Sequence, residues 1–251
     1  MPRLYIPLFL TPGLPGIYLQ AIRGAEELQV DQADTTAAVE LIQSMLDQQG
    51  AAENIRASAI VTADRDRVMA AVYRQLYGPR IESSVTCRHC HEKFDLDFSL
   101  DALLEQYKPE ETAVRDDGIY ETAEGVCFRL PTGDDELLAM SAKGMDPVQA
   151  LLNQCLVGVN VANQPSAIEE KMAALAPVLN LEMQAVCPEC HQQQAVRFDM
   201  QTFLLMRIKK ERPRLLYEVH RIAMAYHWPH ADILQLPRML RRQYVSLIEA
   251  G

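Results

Sequence analysis

The chain carries one seven-residue motif twice, the second copy one hundred positions after the first. Val85-Thr86-Cys87-Arg88-His89-Cys90-His91 is answered by Ala185-Val186-Cys187-Pro188-Glu189-Cys190-His191. The correspondence continues past the cysteines, with Phe98 aligned to Phe198, Leu100 to Met200 and Leu104 to Leu204. Each copy reads as a strand, a sharp cysteine turn, a return strand and the start of a helix. Two C-x-x-C turns in one chain supply four thiolates, the full ligand set of a closed tetrahedral zinc site. A shared ion would tie together segments far apart in the chain and leave no open position for chemistry.

Cys87, Cys90, Cys187 and Cys190 are therefore the expected ligands of one structural zinc ion. Each pair brings two sulfurs to the ion at ~2.3 Å, and a single pair leaves the tetrahedron half open. Three other readings use the same residues. C-x-x-C-H is also the attachment pattern of c-type haem, which suits an exported protein. A thiol–disulfide exchange pair wants its cysteines at a helix N-terminus, whereas these lie between predicted strands. In the third reading the pairs hold separate ions with His91 and His191 as extra ligands; the spacing favours those histidines as neighbours of the ligands or surface residues. Iron is the alternative metal for a four-thiolate cage. Cys127 and Cys155 sit in apolar surroundings and are expected to be inert core residues.

At 251 residues, 49% of them apolar, the chain is long enough to bury a core. Pro7, Pro12, Gly13, Pro15 and Gly16 break up its apolar N-terminal stretch, and no secretory cleavage pattern follows. No run approaches the ~20 apolar residues of a membrane span. The expectation is a cytoplasmic protein. The net charge of −10 is spread unevenly. Residues 81–200 carry 8 basic and 21 acidic side chains, whereas 201–251 carry 9 and 4, a surplus of +5. The acidic middle disfavours nucleic acid, whose affinity comes from phosphate neutralisation. Glu82, Glu92, Asp95, Asp97, Asp101, Glu182 and Glu189 surround the cysteine turns, where a nucleic-acid-binding ribbon would interleave basic and aromatic residues.

Periodicity predicts a helix over 35–49 with Ala38, Leu41, Ile42 and Met45 on one face. A second follows Thr62 as N-cap, with Met69, Val72, Tyr73 and Leu76 as its stripe and Gly78-Pro79 as its stop. Strands are expected at 81–86 and 94–98, a helix capped by Ser99, an acidic loop over 107–125 and a strand at 126–130. Thr132 then caps a helix whose first turn holds Asp134, Asp135 and Glu136; carboxylates there complement the helix dipole and need no catalytic role. Asp146-Pro147 and Ser166 open two more helices. Strands at 179–186 and 194–198 flank the second cysteine turn. From Gln201 the chain is helical, with a fresh start at Pro213 and an interruption at His227-Trp228-Pro229-His230. The predicted fold class is α+β, mainly helical, with a small zinc-ribbon β element built from the two knuckles. The expected organisation is an N-terminal segment 1–60 of open role, a helix plus split ribbon over 61–200 with a helical insertion, and basic C-terminal helices 201–251 packed on that same unit.

His227 and His230 are too few to hold a metal, and Trp228 is expected to anchor the turn between helices. Arg238, Arg241 and Arg242 form a basic edge on the last helix, either a solvated face or a partner contact. The sequence contains no Ser/His/Asp set, phosphate-binding glycine loop or H-E-x-x-H, and the reading is of a non-enzyme.

Four stretches carry a resemblance to a known family: 62–79 (TADRDRVMAAVYRQLYGP) running into the first cysteine pair, 128–137 (FRLPTGDDEL), the second pair, and 221–249 (RIAMAYHWPHADILQLPRMLRRQYVSLIE). They resemble the T-even-type bacteriophage baseplate proteins that include baseplate hub assembly chaperones, with relatives in contractile injection system clusters. The first 60 residues match poorly, and their role is open. The resemblance implies a non-enzymatic assembly factor for the central hub, acting near the tip and tape-measure proteins, or a permanent structural subunit of the baseplate. It implies no small-molecule substrate, nucleic acid or membrane as partner, and a location in the bacterial (for a phage, host) cytoplasm or in the baseplate. The family's paired cysteines correspond to Cys87, Cys90, Cys187 and Cys190, while His91 and His191 stand where a glycine often follows such knuckles.

Overall fold

The computed structural model describes residues 3–48, 54–109, 117–142, 144–158 and 165–250. The chain divides into two compact units, one of Met1–Pro7, Gly16–Ser58 and Gln201–Gly251, the other of Leu8–Pro15 and Ala59–Met200.

In the first unit, β1 (Leu4–Pro7) and β2 (Gly16–Leu19) pair antiparallel with Leu4 opposite Leu19. Alternation buries Ile6, Ile17 and Leu19 and leaves Tyr5 against Tyr18 on the other face. α1 (Gly24–Gln29) and α2 (Thr35–Met45) follow; Asp34 caps α2 by accepting the Ala37 N–H. Ala38, Leu41, Ile42 and Met45 are buried, as the helical period requires. The C-terminal helices α8 (Met200–Lys210), α9 (Arg212–Tyr226), α10 (His230–Leu234) and α11 (Arg238–Ala250) complete this unit from Gln201 onward. Pro213 lies in the first turn of α9, where its missing N–H has no helical partner to lose. Leu215, Val219 and Ile222 of α9 meet Ile233 and Val245 in a closed apolar cluster. Arg238 N–H donates to Ile22 O at 3.2 Å, and Gly24 N–H to Leu236 O at 3.4 Å. Residues 201–251 thus fold with the N-terminal segment and belong to a different unit from 61–200, contrary to the sequence expectation. An apolar stripe announces that a helix face is buried but does not name the surface that buries it.

In the second unit, α3 (Thr62–Tyr77) leads into β3 (Arg80–Thr86), β4 (Lys93–Ser99) and α4 (Leu100–Gln106). The short hairpin of β5 (Ile119–Glu121) and β6 (Cys127–Arg129) comes next, then α5 (Gly133–Ser141), α6 (Pro147–Cys155) and α7 (Pro165–Leu175). β7 (Asn180–Val186) and β8 (Gln193–Asp199) close the unit. Leu10, Val61, Tyr120, Phe128, Leu130, Leu152 and Ile168 share one core cluster. Ser99, Thr132 and Asp146 cap their helices as expected; Thr132 and Asp135 form a reciprocal capping box. Two other caps differ. Thr62 is the first residue inside α3, and its hydroxyl donates to Pro131 O and Glu136 instead. Ser166 lies within the first turn of α7. Strand β5 falls in the stretch read as an acidic loop, because three residues are too few to show alternation; Tyr120 stacking on Phe128 holds it. Residues 110–116 of that stretch lie outside the described residues.

Candidate metal centre

The two halves of the motif fold alike down to strand register. Thr86 faces Lys93 and Ile81 faces Phe98 in the first hairpin; Val186 faces Gln193 and Leu181 faces Phe198 in the second. At the base, Leu100 N–H donates to Pro79 O in one copy and Met200 N–H to Leu179 O in the other. Phe98 and Phe198 meet edge to face with ring centres 5.1 Å apart, so equivalent residues of the two copies touch across a pseudo-twofold relation.

Each cysteine turn is closed by the same backbone bonds. Cys87 N–H donates to Glu92 O at 2.8 Å and Cys187 N–H to Gln192 O at 3.0 Å. His91 and His191 N–H donate back to the carbonyls of Cys87 and Cys187. Both histidines adopt left-handed backbone, with φ of 65° and 57°. They take the conformation that glycine supplies elsewhere, and histidine is among the side chains enriched in that region. Their side chains are exposed and lie outside the sulfur cluster.

The four sulfurs converge. Cys87 Sγ lies 3.6 Å from Cys190 Sγ and Cys90 Sγ lies 3.7 Å from Cys187 Sγ, and all four ligand atoms fall within 4.8 Å of one another. A tetrahedron of sulfurs ~2.3 Å from a central ion has edges of about 3.8 Å, whereas a disulfide needs ~2.0 Å. The geometry therefore fits a four-coordinate ion, and the short contacts run between the copies. Cys87 and Cys187 are fully buried. Backbone N–H groups of Cys90 and His89 pull the Cys87 thiol down to about 6. At Cys90 the Glu92 N–H favours the thiolate, but burial and the sulfurs of Cys190, Cys87 and Cys187 outweigh it and push the thiol up to about 12. Four sulfurs this close ionise together only around a cation.

Position 94/194 breaks the pseudo-symmetry. Phe94 packs against the cysteines, whereas Gln194, equally buried, accepts the Arg88 N–H at 2.8 Å and donates to Thr86 O at 3.4 Å. One copy thus reaches across to fix the turn of the other.

A charged run that sequence reading missed as a feature positions this ribbon. Asp64, Arg65, Asp66 and Arg67, in the first turns of α3, are all buried. Asp64 accepts the N–H groups of Phe9, Leu10 and Thr11 at 2.8–2.9 Å and the Thr11 hydroxyl. Arg65 pairs with Glu136 of α5 at 2.8 Å. Asp66 accepts the Leu179 N–H at 2.8 Å, immediately before β7. Arg67 donates to Leu104 O and Tyr107 O and lies over the Phe9 ring. Burial pushes the Asp66 carboxyl up to about 7 against the pull of Arg65 and the Leu179 N–H. Four consecutive charges therefore anchor four separate segments of the unit. Their only trace in the sequence is that they interrupt an otherwise amphipathic helix.

The expected basic edge on the last helix is not a surface. Arg238 and Arg241 are 2% and 0% exposed. Arg241 donates to Glu27 at 2.6 Å, Glu218 at 3.2 Å and Leu236 O at 2.8 Å; Arg238 pairs with Glu27 and Glu211. Arg242, partly exposed, joins Glu218 and Glu211. The side chains taken as a candidate contact are an internal ion network, because buried and solvated arginines look the same in sequence. Trp228 stacks on Tyr226 and meets Tyr244 edge to face, anchoring the turn. Cys155 is buried, which pushes its thiol up to about 12, and Cys127 is half-buried; both are free thiols.

The family described as T4 bacteriophage base plate protein matches residues 19–165, more than half of the chain. The chain belongs to this family. The match begins at residue 19, so residues 19–60, which the sequence reading matched poorly, lie within the family region. It covers α3, the first cysteine pair and the inserted β5–α6 segment. Among curated proteins and solved structures, none matches the chain. Among the described residues, no helix is long and apolar enough to cross a membrane.

Proposed function

We propose that this base plate family member is a non-enzymatic assembly factor for the central hub of the baseplate, built around one structural zinc ion held by Cys87, Cys90, Cys187 and Cys190. The convergence of the four sulfurs at tetrahedral spacing supports the metal, and the family match supports the baseplate setting. A closed four-thiolate site has no open position for substrate or water, so the ion's contribution is to folding. It joins segments one hundred residues apart and sets the second unit as a rigid body. Rigidity lowers the ordering cost of binding a partner, which is what an assembly factor needs. Acidic side chains around the knuckles (Glu82, Glu92, Asp95, Asp97, Glu182, Glu189) disfavour nucleic acid at this site.

Two measurements test the reading. Elemental analysis of native protein is expected to return one zinc per chain, and Cys187→Ser is expected to abolish that stoichiometry and prevent the second unit from folding, since zinc contributes ~10–16 kcal/mol in finger peptides. Protein free of metal but folded would refute the centre. Particle composition separates the roles: an assembly factor is missing from purified mature baseplates, and the chain's presence there at fixed stoichiometry would make it a structural subunit.

A further inference from the structure

With Arg238 and Arg241 buried, the last helices present a different surface. Met239, Gln243, Ser246, Leu247 and Ala250 are all exposed on α11, spaced i, i+4, i+7, i+8 and i+11. That spacing defines one helix face, and none of the five is charged. Met239 is 68% and Leu247 65% exposed. On α9, Tyr217 and Met224 lie seven residues apart on one face, 48% and 66% exposed. Tyr217 donates to Glu249 at 2.9 Å, and the rings of Tyr226 and Trp228 reach Tyr244, so the two helices pack against each other. Solvated helix faces carry charge; an uncharged face rich in methionine, leucine and tyrosine marks a contact.

The charge around this face identifies the partner's chemistry. Glu211 and Glu218 are engaged by Arg238, Arg241 and Arg242 inside the unit. Lys209, Lys210, Arg212 and Arg214 are exposed; Lys209 and Arg212 bond Asp31 and Arg214 pairs with Glu218 at 3.6 Å, and basic side chains around the face still outnumber acidic ones, with Asp232 and Glu249 the other acids of residues 201–250. A second copy docked through the same face would bring two positive surfaces together. A nucleic acid would need cations along the α11 stripe, and none of its five residues is one.

We infer that the paired α9 and α11 face of the first unit docks an acidic amphipathic helix of a protein partner, whose apolar stripe covers Met224, Met239 and Leu247 while its flanking carboxylates meet Lys210 and Arg214. Helix-in-groove recognition reads anchors at this spacing. The inference rests on the assembly-factor reading for the nature of the partner, but metal content and particle composition are measured independently of it.

The test uses full-length, metal-loaded protein and a fluorescent 18-residue synthetic helix with a leucine/methionine stripe flanked by glutamates. Controls are the scrambled peptide, a lysine-for-glutamate version and a labelled single-stranded oligonucleotide. Anisotropy should show binding of the acidic helix alone, weakened at least tenfold in Met239→Glu/Leu247→Glu and unchanged in Met140→Glu, an exposed site in the second unit. Circular dichroism should confirm that both variants stay folded, as exposed positions allow. Equal binding of the scrambled peptide, equal affinity in the double variant, or preference for the oligonucleotide would overturn the inference. So would a concentration-dependent dimer abolished by Leu247→Glu, which would assign the face to a second copy.

Discussion

Arg241→Met removes one cation from the buried network of the first unit and fills similar space with an apolar side chain. The guanidinium is fully buried and bonds Glu27, Glu218 and Leu236 O. Glu27 and Glu218 are themselves 5% and 4% exposed, so neither carboxylate gains access to water when its partner goes. Arg238 and Arg242 retain their contacts and offset part of the loss. Breaking a buried pair by removing one member costs about 3–5 kcal/mol, a large share of the roughly 5–15 kcal/mol that holds a domain folded. With a urea m-value of about 2 kcal/mol per molar, the midpoint should fall by roughly 2 M. Trp228, the single tryptophan, stacks on Tyr226 in this unit, so its emission during urea titration reports the unit directly. A midpoint shift below about 0.5 M in Arg241→Met would refute the argument and imply that the network adds little net stability. Reversing Arg238, Arg241 and Arg242 together to Glu is accordingly expected to unfold this unit, not to spare it.

Asp64→Ala strands three backbone N–H groups and the Thr11 hydroxyl, each at a cost of about 1–3 kcal/mol; loss of at least 3 kcal/mol in thermal or urea unfolding of the second unit is expected, and a loss under 1 kcal/mol would contradict the anchoring role. Asp66 gives a pH signature. Desolvation raises its folded carboxyl to about 7 from an ordinary value of 3.8, against Arg65 and the Leu179 N–H and with Asp199 and Glu136 nearby. The folded state therefore binds the proton more tightly, so this stability contribution is full below pH 4 and declines as pH rises to about 7. The slope is at most about 1.4 kcal/mol per pH unit. Asp66→Asn keeps an acceptor for Leu179 and should flatten that slope in urea titrations between pH 4 and 7; an unchanged slope would locate the titration elsewhere.

How much of this was legible in the chain depends on whether the signal was local. The knuckle hairpins emerge within a residue or two of their predicted ends because strand, turn and return strand are adjacent in sequence and repeated. Ser99, Thr132 and Asp146 announce helix starts because a cap acts within three residues. Thr62 and Ser166 failed as caps because the same residue types also serve inside a first turn. Gln194 went unnoticed because its role depends on the turn of the other copy.

The sequence by itself determined that two like cysteine turns exist, that their sulfurs suffice for one ion, and which helix faces are apolar. Those properties follow from residue type and spacing alone. Only the tertiary structure decided that the four sulfurs meet at ion-binding distance, that the final helices fold with residues 16–58, and that charged side chains lie inside, among them Asp64 through Arg67 in one unit and Glu27, Glu218, Arg238 and Arg241 in the other. A charged side chain carries no mark of burial. Whether it faces water or a partner is fixed by long-range packing, where opposite charges from distant segments supply the interactions that solvent would otherwise provide.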